Sequence, residues 1–184
     1  MKLIKPALRI ILDFFEITII CTAVFLIMYF FVGQLLEVTG DSMYPTFYDK
    51  EQIIAEKLSV KIKDLKRGEI IIFEHPSEEG RLLIKRLIGL PGETIKIKNG
   101  KVFINNTELE EPYLNNVKTE GQNFLKDDIE YEIPENSYVM MGDNRLKSTD
   151  SREWGYVKKD LIVGRGVVVY YPLNRIRLVG DGLF

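Results

Sequence analysis

The sequence predicts a mainly β protein carried behind a single N-terminal transmembrane helix. Three observations say so. Residues 17–32 form one uncharged apolar run near the N-terminus. Beyond it, short β-branched and aromatic runs alternate with Gly, Pro, Asn and Asp, the punctuation of strands and turns. No segment after Val32 keeps a helical period.

Lys2, Lys5 and Arg9 precede the apolar run, and from Ile10 to Val32 only Asp13 and Glu16 interrupt it. A membrane span needs roughly 20 predominantly apolar residues. Both carboxylates would sit in its first turns, close to the headgroups, where a charge costs less than at the bilayer centre. A cleavable leader would end in a small-x-small pattern. This run ends in Tyr29-Phe30-Phe31-Val32, so it reads as an uncleaved anchor. The basic residues before it place the N-terminus inside and residues 33–184 outside. The chain therefore divides into residues 1–32, a cytoplasmic N-terminus with anchor, and residues 33–184, an exported β domain. The only cysteine, Cys21, lies in the span.

Strands are predicted at residues 70–73, 94–97, 101–104, 138–141 and 166–171. Asn99-Gly100 between two alternating runs predicts a type I′ hairpin, and residues 60–66 allow one short turn of helix. Residues 105–136 turn polar and acidic, as a small insertion on the main sheet would. The 184 residues sum to a charge of −2, so nothing suggests nucleic acid as a partner. One Cys and one His exclude a disulfide and a Cys/His zinc site. A Ser-His-Asp hydrolase would have to use His75.

Three segments carry more chemistry than a plain sheet needs. Gly40-Asp41-Ser42-Met43-Tyr44-Pro45-Thr46 is either a turn into the first strand or a tight bend presenting a nucleophilic hydroxyl. Across residues 82–88, a strand would set Lys85 between Leu83 and Leu87 on one face and Arg86 between Ile84 and Ile88 on the other. Those cations either snorkel from an edge strand or include a desolvated lysine, whose neutral amine can take a proton. The loop from Gly142 to Gly155 is dense in polar and charged groups and holds the only tryptophan. It is either a solvated connector or a rigid scaffold for catalytic side chains.

Taken in order, these blocks resemble the bacterial type I signal peptidases, the leader peptidase family of serine proteases. The match comprises the anchor, G-D-S-M-Y-P-T at 40–46, G-E-I-I-I-F at 68–73, K-R-L-I-G-L-P-G-E at 85–93 and G-D-N-R-x-x-S-x-D-S-R-x-W-G at 142–155. The resemblance implies an antiparallel β-sheet catalytic domain with a small inserted cap, about residues 98–137, of the compact single-anchor type. It implies Ser42 as nucleophile and Lys85 as general base, with Ser148 orienting the lysine. Asp150 and Arg152 would stiffen the site, and Asp143 and Arg86 would support it. Met43 and Pro45 would shape the nucleophile turn.

The implied function is a membrane-bound serine endopeptidase that removes signal peptides from exported preproteins at small-x-small sites. It needs no metal and no organic cofactor, and its partners are preprotein signal peptides and the lipid bilayer. The implied location is the bacterial cell membrane, crossed once. The peptide would add as an extra strand beside residues 82–84 and 35–39. Leu36, Met43 and Ile84 would wall two small pockets, and apolar residues Met43, Tyr44 and Phe47 would rest on the bilayer. Gly40 stands where some members have an oxyanion-donating serine, which leaves the second donor open. His75 has no catalytic role on this reading. Two alternatives stand beside it. One is a self-cleaving repressor-type peptidase, which would carry a DNA-binding domain in place of the anchor. The other is a membrane-tethered, non-catalytic β module that binds exported polypeptides.

Overall fold

A computed structural model describes residues 4–27 and 33–179. The first element is helix α1 (Ile4–Ile27). Its only proline, Pro6, falls in the first turn, where a missing N–H breaks no helical bond. Apolar side chains such as Ile10, Phe14, Ile17 and Phe25 stand exposed along it. Among the described residues no helix is long and apolar enough to cross a membrane. Residues 28–32 of the predicted span lie outside them.

The rest is built of strands: β1 (Gly33–Glu37), β2 (Gln52–Glu56), β3 (Ile70–His75), β4 (Glu78–Gly89), β5 (Thr94–Lys98), β6 (Lys101–Ile104), β7 (Thr107–Glu108), β8 (Glu130–Glu132), β9 (Ser137–Met141), β10 (Val157–Lys158), β11 (Ile162–Tyr171) and β12 (Arg177–Leu178). Two four-residue helices, α2 (Ser59–Ile62) and α3 (Ser151–Trp154), interrupt them. Eight strands make the main sheet in the order β1-β2-β11-β3-β4-β9-β10, with β12 also paired to β11. A second sheet runs β7-β6-β5-β8. Every strand-to-strand pairing in both is antiparallel.

The unbroken apolar run at residues 70–73 is explained by burial on both faces of the main sheet. Ile70 and Ile72 enter a cluster with Val38, Met43, Phe47, Ile53 and Val169. Ile71 and Phe73 enter another with Val60, Leu65, Leu87 and Met140. The Asn99-Gly100 turn has both residues at positive φ, 53° and 78°, as a type I′ hairpin requires. The inserted region forms the second sheet, whose strands begin with β5 at Thr94 and end at Glu132. Residue 98, taken above as the start of the cap, is the last residue of that first strand. A third cluster joins the sheets: Ile88, Val139 and Met141 from the main one meet Ile95, Ile97, Val102 and Ile133.

Two features of the sheet prepare a site. Strand β9 pairs with β4 only at Arg86, Leu87 and Gly89. Residues 78–85 of β4 therefore have no strand on the side away from β3, among the described residues. Secondly, Leu36 of β1 and Ile84 of β4 pack on the same cluster although three strands separate β1 from β4 in the sheet. The sheet must curl to bring both there.

Gly89 marks the junction of the two sheets. A Cβ there would lie 2.3 Å from Ile133 Cδ1 and 3.1 Å from Val139 Cβ. Gly89→Ala should lower stability by about 1–3 kcal/mol through overpacking. Ile133→Val removes the closest atom and should restore part of the loss, as read by urea unfolding of the single and double variants.

Candidate active site

The nucleophile segment is a bend between β1 and β2 pinned from below. Met43 and Phe47 are fully buried, and Phe47 N–H donates to Met43 O at 2.9 Å. Ser42 thus precedes an anchored residue and is not free to swing. Gly40 has φ +84° and donates its N–H to Asp49 Oδ1 at 2.7 Å. That left-handed conformation suits glycine and would strain a serine, which accounts for the missing hydroxyl at this position.

Lys85 comes to Ser42 from β4, where it faces Ile71 in the β3 register. Its Nζ lies 2.6 Å from Ser42 Oγ. The side chain is 3% exposed, and burial pushes its pKa from 10.5 down to about 8, against the pull of the Asp150 and Asp143 charges. At that value the neutral amine is available near neutral pH, where it can accept the serine proton.

Around the pair lies a charged scaffold. Arg86 Nε and Nη2 grip Asp143 Oδ1 and Oδ2 at 2.8 and 2.6 Å, and Nη1 donates to Gly68 O at 2.8 Å. Thr46 Oγ1 donates to Asp143 as well, tying the nucleophile bend to the same carboxylate. Arg152 holds Asp150 by a second two-point grip, both contacts 2.8 Å. Burial alone would raise the Asp150 pKa. The Arg152 hydrogen bonds and charge, with the Gly142 N–H, outweigh it and hold the carboxyl below its usual range. Asp150 also caps α3, accepting from Arg152 N–H.

Gly142 is where this scaffold touches Ser42. Its N–H donates to Asp150 Oδ2 at 3.0 Å. A Cβ at Gly142 would lie 2.4 Å from Ser42 O and 2.2 Å from Ser148 Oγ, so only glycine fits. Asn144 completes the stitch, donating its backbone N–H to Ser42 O and its amide to Asp41 O, each at 3.0 Å.

Most of the residues singled out from sequence therefore converge: Ser42, Lys85, Arg86, Asp143, Ser148, Asp150 and Arg152. Ser148 differs in detail. Its Oγ is buried against Gly142, beside the Asp150 carboxylate whose ionised form it favours, but at a geometry short of a hydrogen bond and with none to Lys85.

A mainly apolar cavity of about 110 Å³ opens beside the pair, lined by residues 36–39, Ser42, Ile53, Ile72 and residues 82–85, with Glu37 among them. Leu36 and Ile84 are among its walls. Met43 is not: it is 1% exposed and belongs to the core beneath. Phe47 is equally buried, so of the three residues expected on the bilayer only Tyr44 is exposed. The turn explains this, because the Phe47 N–H to Met43 O bond puts the two side chains, four residues apart, on one face that packs into the core.

Sequence reading missed Arg145 and its partners. Arg145, 2% exposed, donates to Glu111 Oε1 at 2.5 Å, to Thr119 and to Gly142 O at 3.0 Å, linking the cap to the active-site loop. Its place within the 142–155 block was a signal, but no local pattern pairs it with Glu111. His75 lies away from the pair, beside Glu78 and Trp154.

A serine hydroxyl held 2.6 Å from a desolvated amine, beside a cleft on a curled antiparallel sheet, fits the nucleophilic chemistry of a serine hydrolase. The comparisons are more specific. Residues 11–171 match the family described as signal peptidase, peptidase S26. The chain is 41% identical over 166 residues to signal peptidase I U of Bacillus subtilis (strain 168), covering 88% of each chain. It is 37% identical over 158 residues to signal peptidase I of Leptolyngbya laminosa, covering 82% of this chain and 74% of that one. A crystal structure of a signal peptidase I from Enterococcus faecalis V583 has 35% identity and a TM-score of 0.46, over 56% of this chain and 97% of that one. The chain belongs to the signal peptidase family, S26.

The buried lysine has a price in stability. Below about pH 8 both folded and unfolded states carry the charge, and the folded state bears the full cost of burying it. As pH rises from about 8 to 10.5 the folded state is already neutral while the unfolded state still binds a proton, so stability climbs and the cost disappears. At about 1.36 kcal/mol per unit the cost is about 3 kcal/mol. Lys85→Met should therefore stabilise the protein by up to about 3 kcal/mol at neutral pH, and the gain should fade towards pH 10.5 in chemical denaturation.

Proposed function

We propose that this signal peptidase cuts signal peptides from exported preproteins with a Ser42–Lys85 dyad while anchored in the bacterial cell membrane. The observation that carries the reading is the 2.6 Å contact between Ser42 Oγ and a lysine amine held down to about 8 by burial. Neutral Lys85 takes the proton as Ser42 Oγ attacks the scissile carbonyl, then gives it to the leaving amine. Water, deprotonated by the same amine, releases the acyl group. The Ser42 backbone N–H is the proposed oxyanion donor. The Asp150–Arg152 and Asp143–Arg86 pairs hold the loop and strand that carry the dyad, and Ser148 steadies the lysine from the Asp150 side. A binding module would have no use for this contact, which disfavours the non-catalytic alternative.

Residues 1–32 serve as cytoplasmic end and single-pass anchor, and residues 33–184 as the extracytoplasmic catalytic domain with its cap. Support comes from the exposed apolar side chains of α1 and from the uncharged run that continues to Val32. The preprotein lies in the cleft between β1 and the unpaired half of β4, hydrogen-bonded as an added strand. In an extended peptide residues −1 and −3 point the same way, so both meet the Leu36 and Ile84 walls.

The dyad is tested by single and double substitution. Ser42→Ala and Lys85→Ala should each abolish cleavage of a preprotein, and the pair together should be little worse than either, because they act as a unit. Wild-type activity should rise with pH through about 8, as Lys85 loses its proton. Substantial cleavage by Lys85→Ala would remove the lysine from the mechanism.

The cleft is tested on the substrate. A preprotein with Ala at −1 and −3 should be cut, and Phe at −1 should lower kcat/KM at least ~100-fold by steric exclusion. Equal cleavage of the two would put the selecting pocket elsewhere.

A further inference from the structure

We propose that residues 57–66, which follow β2, are a second contact with the membrane: a basic and apolar footing on anionic lipid headgroups. The proposal rests on the anchor reading above and adds the surface by which the catalytic domain itself meets the bilayer. Nothing in this segment belongs to the active site or the cleft.

Composition comes first. The segment holds Lys57, Lys61, Lys63 and Lys66 against a single acidic residue, Asp64. Lys61, Lys63 and Lys66 are exposed and Lys57 is half-buried. Val60 and Leu65 are buried in the cluster with Ile71 and Phe73, so the segment is fixed to the sheet at two points. Leu58 and Ile62, by contrast, are 49% and 69% exposed. With Lys61 they fall at i, i+3 and i+4 around α2, which puts them on one side of the turn. Glu56, the acidic residue just before the segment, is committed internally: it accepts the Ser59 N–H at 2.6 Å and the Ser59 hydroxyl.

Register supplies the location. Gly33, the first residue of β1, pairs with Glu56, so Lys57 begins at the end of β1 that faces the anchor. The other end, Glu37 opposite Gln52, leads to the Ser42 bend. Ile27 of α1 and Gly33 of β1 are six residue steps apart, at most ~22 Å even when fully extended. The basic segment is therefore held close to where the chain leaves the bilayer.

Apolar side chains interspersed with lysines fit a lipid interface better than a purely polar polyanion. Leu58 and Ile62 can enter the boundary between headgroups and acyl chains while the lysine stems lie flat and their ammonium groups reach phosphate. Such a footing would fix the tilt of the domain. The five residues of β1, at ~3.3 Å each, would then hold the cleft roughly 16 Å above the contact.

The test uses the full chain reconstituted in phosphatidylcholine vesicles, with or without phosphatidylglycerol, carrying a lipid-bound quencher. One form carries a fluorophore on native Cys21. Two others, in a Cys21→Ser background, carry it on Ile62→Cys or on Lys118→Cys in the cap. With phosphatidylglycerol, the label at 62 should be quenched at least about twofold more than the label at 118. That difference should shrink without anionic lipid, in high salt, or when Lys57, Lys61 and Lys63 are all changed to Glu. Equal quenching at 62 and 118 on anionic vesicles overturns the footing, and a difference indifferent to lipid charge overturns its electrostatic basis. Cys21 reports separately: no quenching there overturns the anchor itself.

Discussion

A lysine kept out of water shapes the rest of this domain. An ammonium is stable in solvent, and holding Lys85 at 3% exposure requires surroundings that cannot move away from it. On one side the central β3–β4 hairpin supplies aliphatic neighbours. On the other, the 142–155 loop brings two carboxylates near enough to pull the pKa up, yet each is already committed to an arginine. Were Asp143 or Asp150 unpaired, its charge would favour the protonated amine more strongly. The Arg152 charge, gripping Asp150, itself opposes that upward pull at the lysine.

The same arrangement explains why the cap and the nucleophile bend are joined through one small region. Gly142 contacts the Ser42 carbonyl, the Ser148 hydroxyl and the Asp150 carboxylate. Its own carbonyl accepts from Arg145, whose other bonds go to Glu111 and Thr119 of the cap. A buried guanidinium with several donors can bridge elements that apolar packing would leave free to slide. The second sheet is thus fastened by its own apolar cluster with Ile88 and Met141, by Arg145 at the edge of the site, and by the bonds that Glu120, Phe124 and Leu125 make to Arg152.

The cleft follows from the sheet, with the β1–β2 loop closing one end. Because the β9 pairing stops at Arg86, residues 82–85 have no strand on that edge among the described residues, beside Ser42 and Lys85. Because the sheet curls, the apolar residues of β1 wall the opposite side. A peptide in that space would meet backbone on one flank and Leu36 and Ile84 on the other. Lys85 and the Ile84 wall are then set by the same strand, β4, in adjacent residues.

Local chemistry was legible in the sequence wherever its cause was local. The Asn99-Gly100 hairpin, the buried run at 70–73 and the strand that carries Lys85 depend on turn preference and side-chain period, and these act over a few residues. The blocks that resemble the signal peptidases fixed which residues to watch, and Ser42 and Lys85 stand 43 positions apart yet in contact. Tertiary structure decided what depends on distant chain. It placed Met43 in the core and not in the cleft, since the Met43–Phe47 turn packs both side chains on one face against Ile53 and Ile72. It paired Arg145 with Glu111, 34 residues away, which no spacing encodes. It also set the lysine's pKa, because burial and the competing carboxylates belong to the packed whole. A residue type states what chemistry is possible; only the folded surroundings set its protonation, its exposure and its partner.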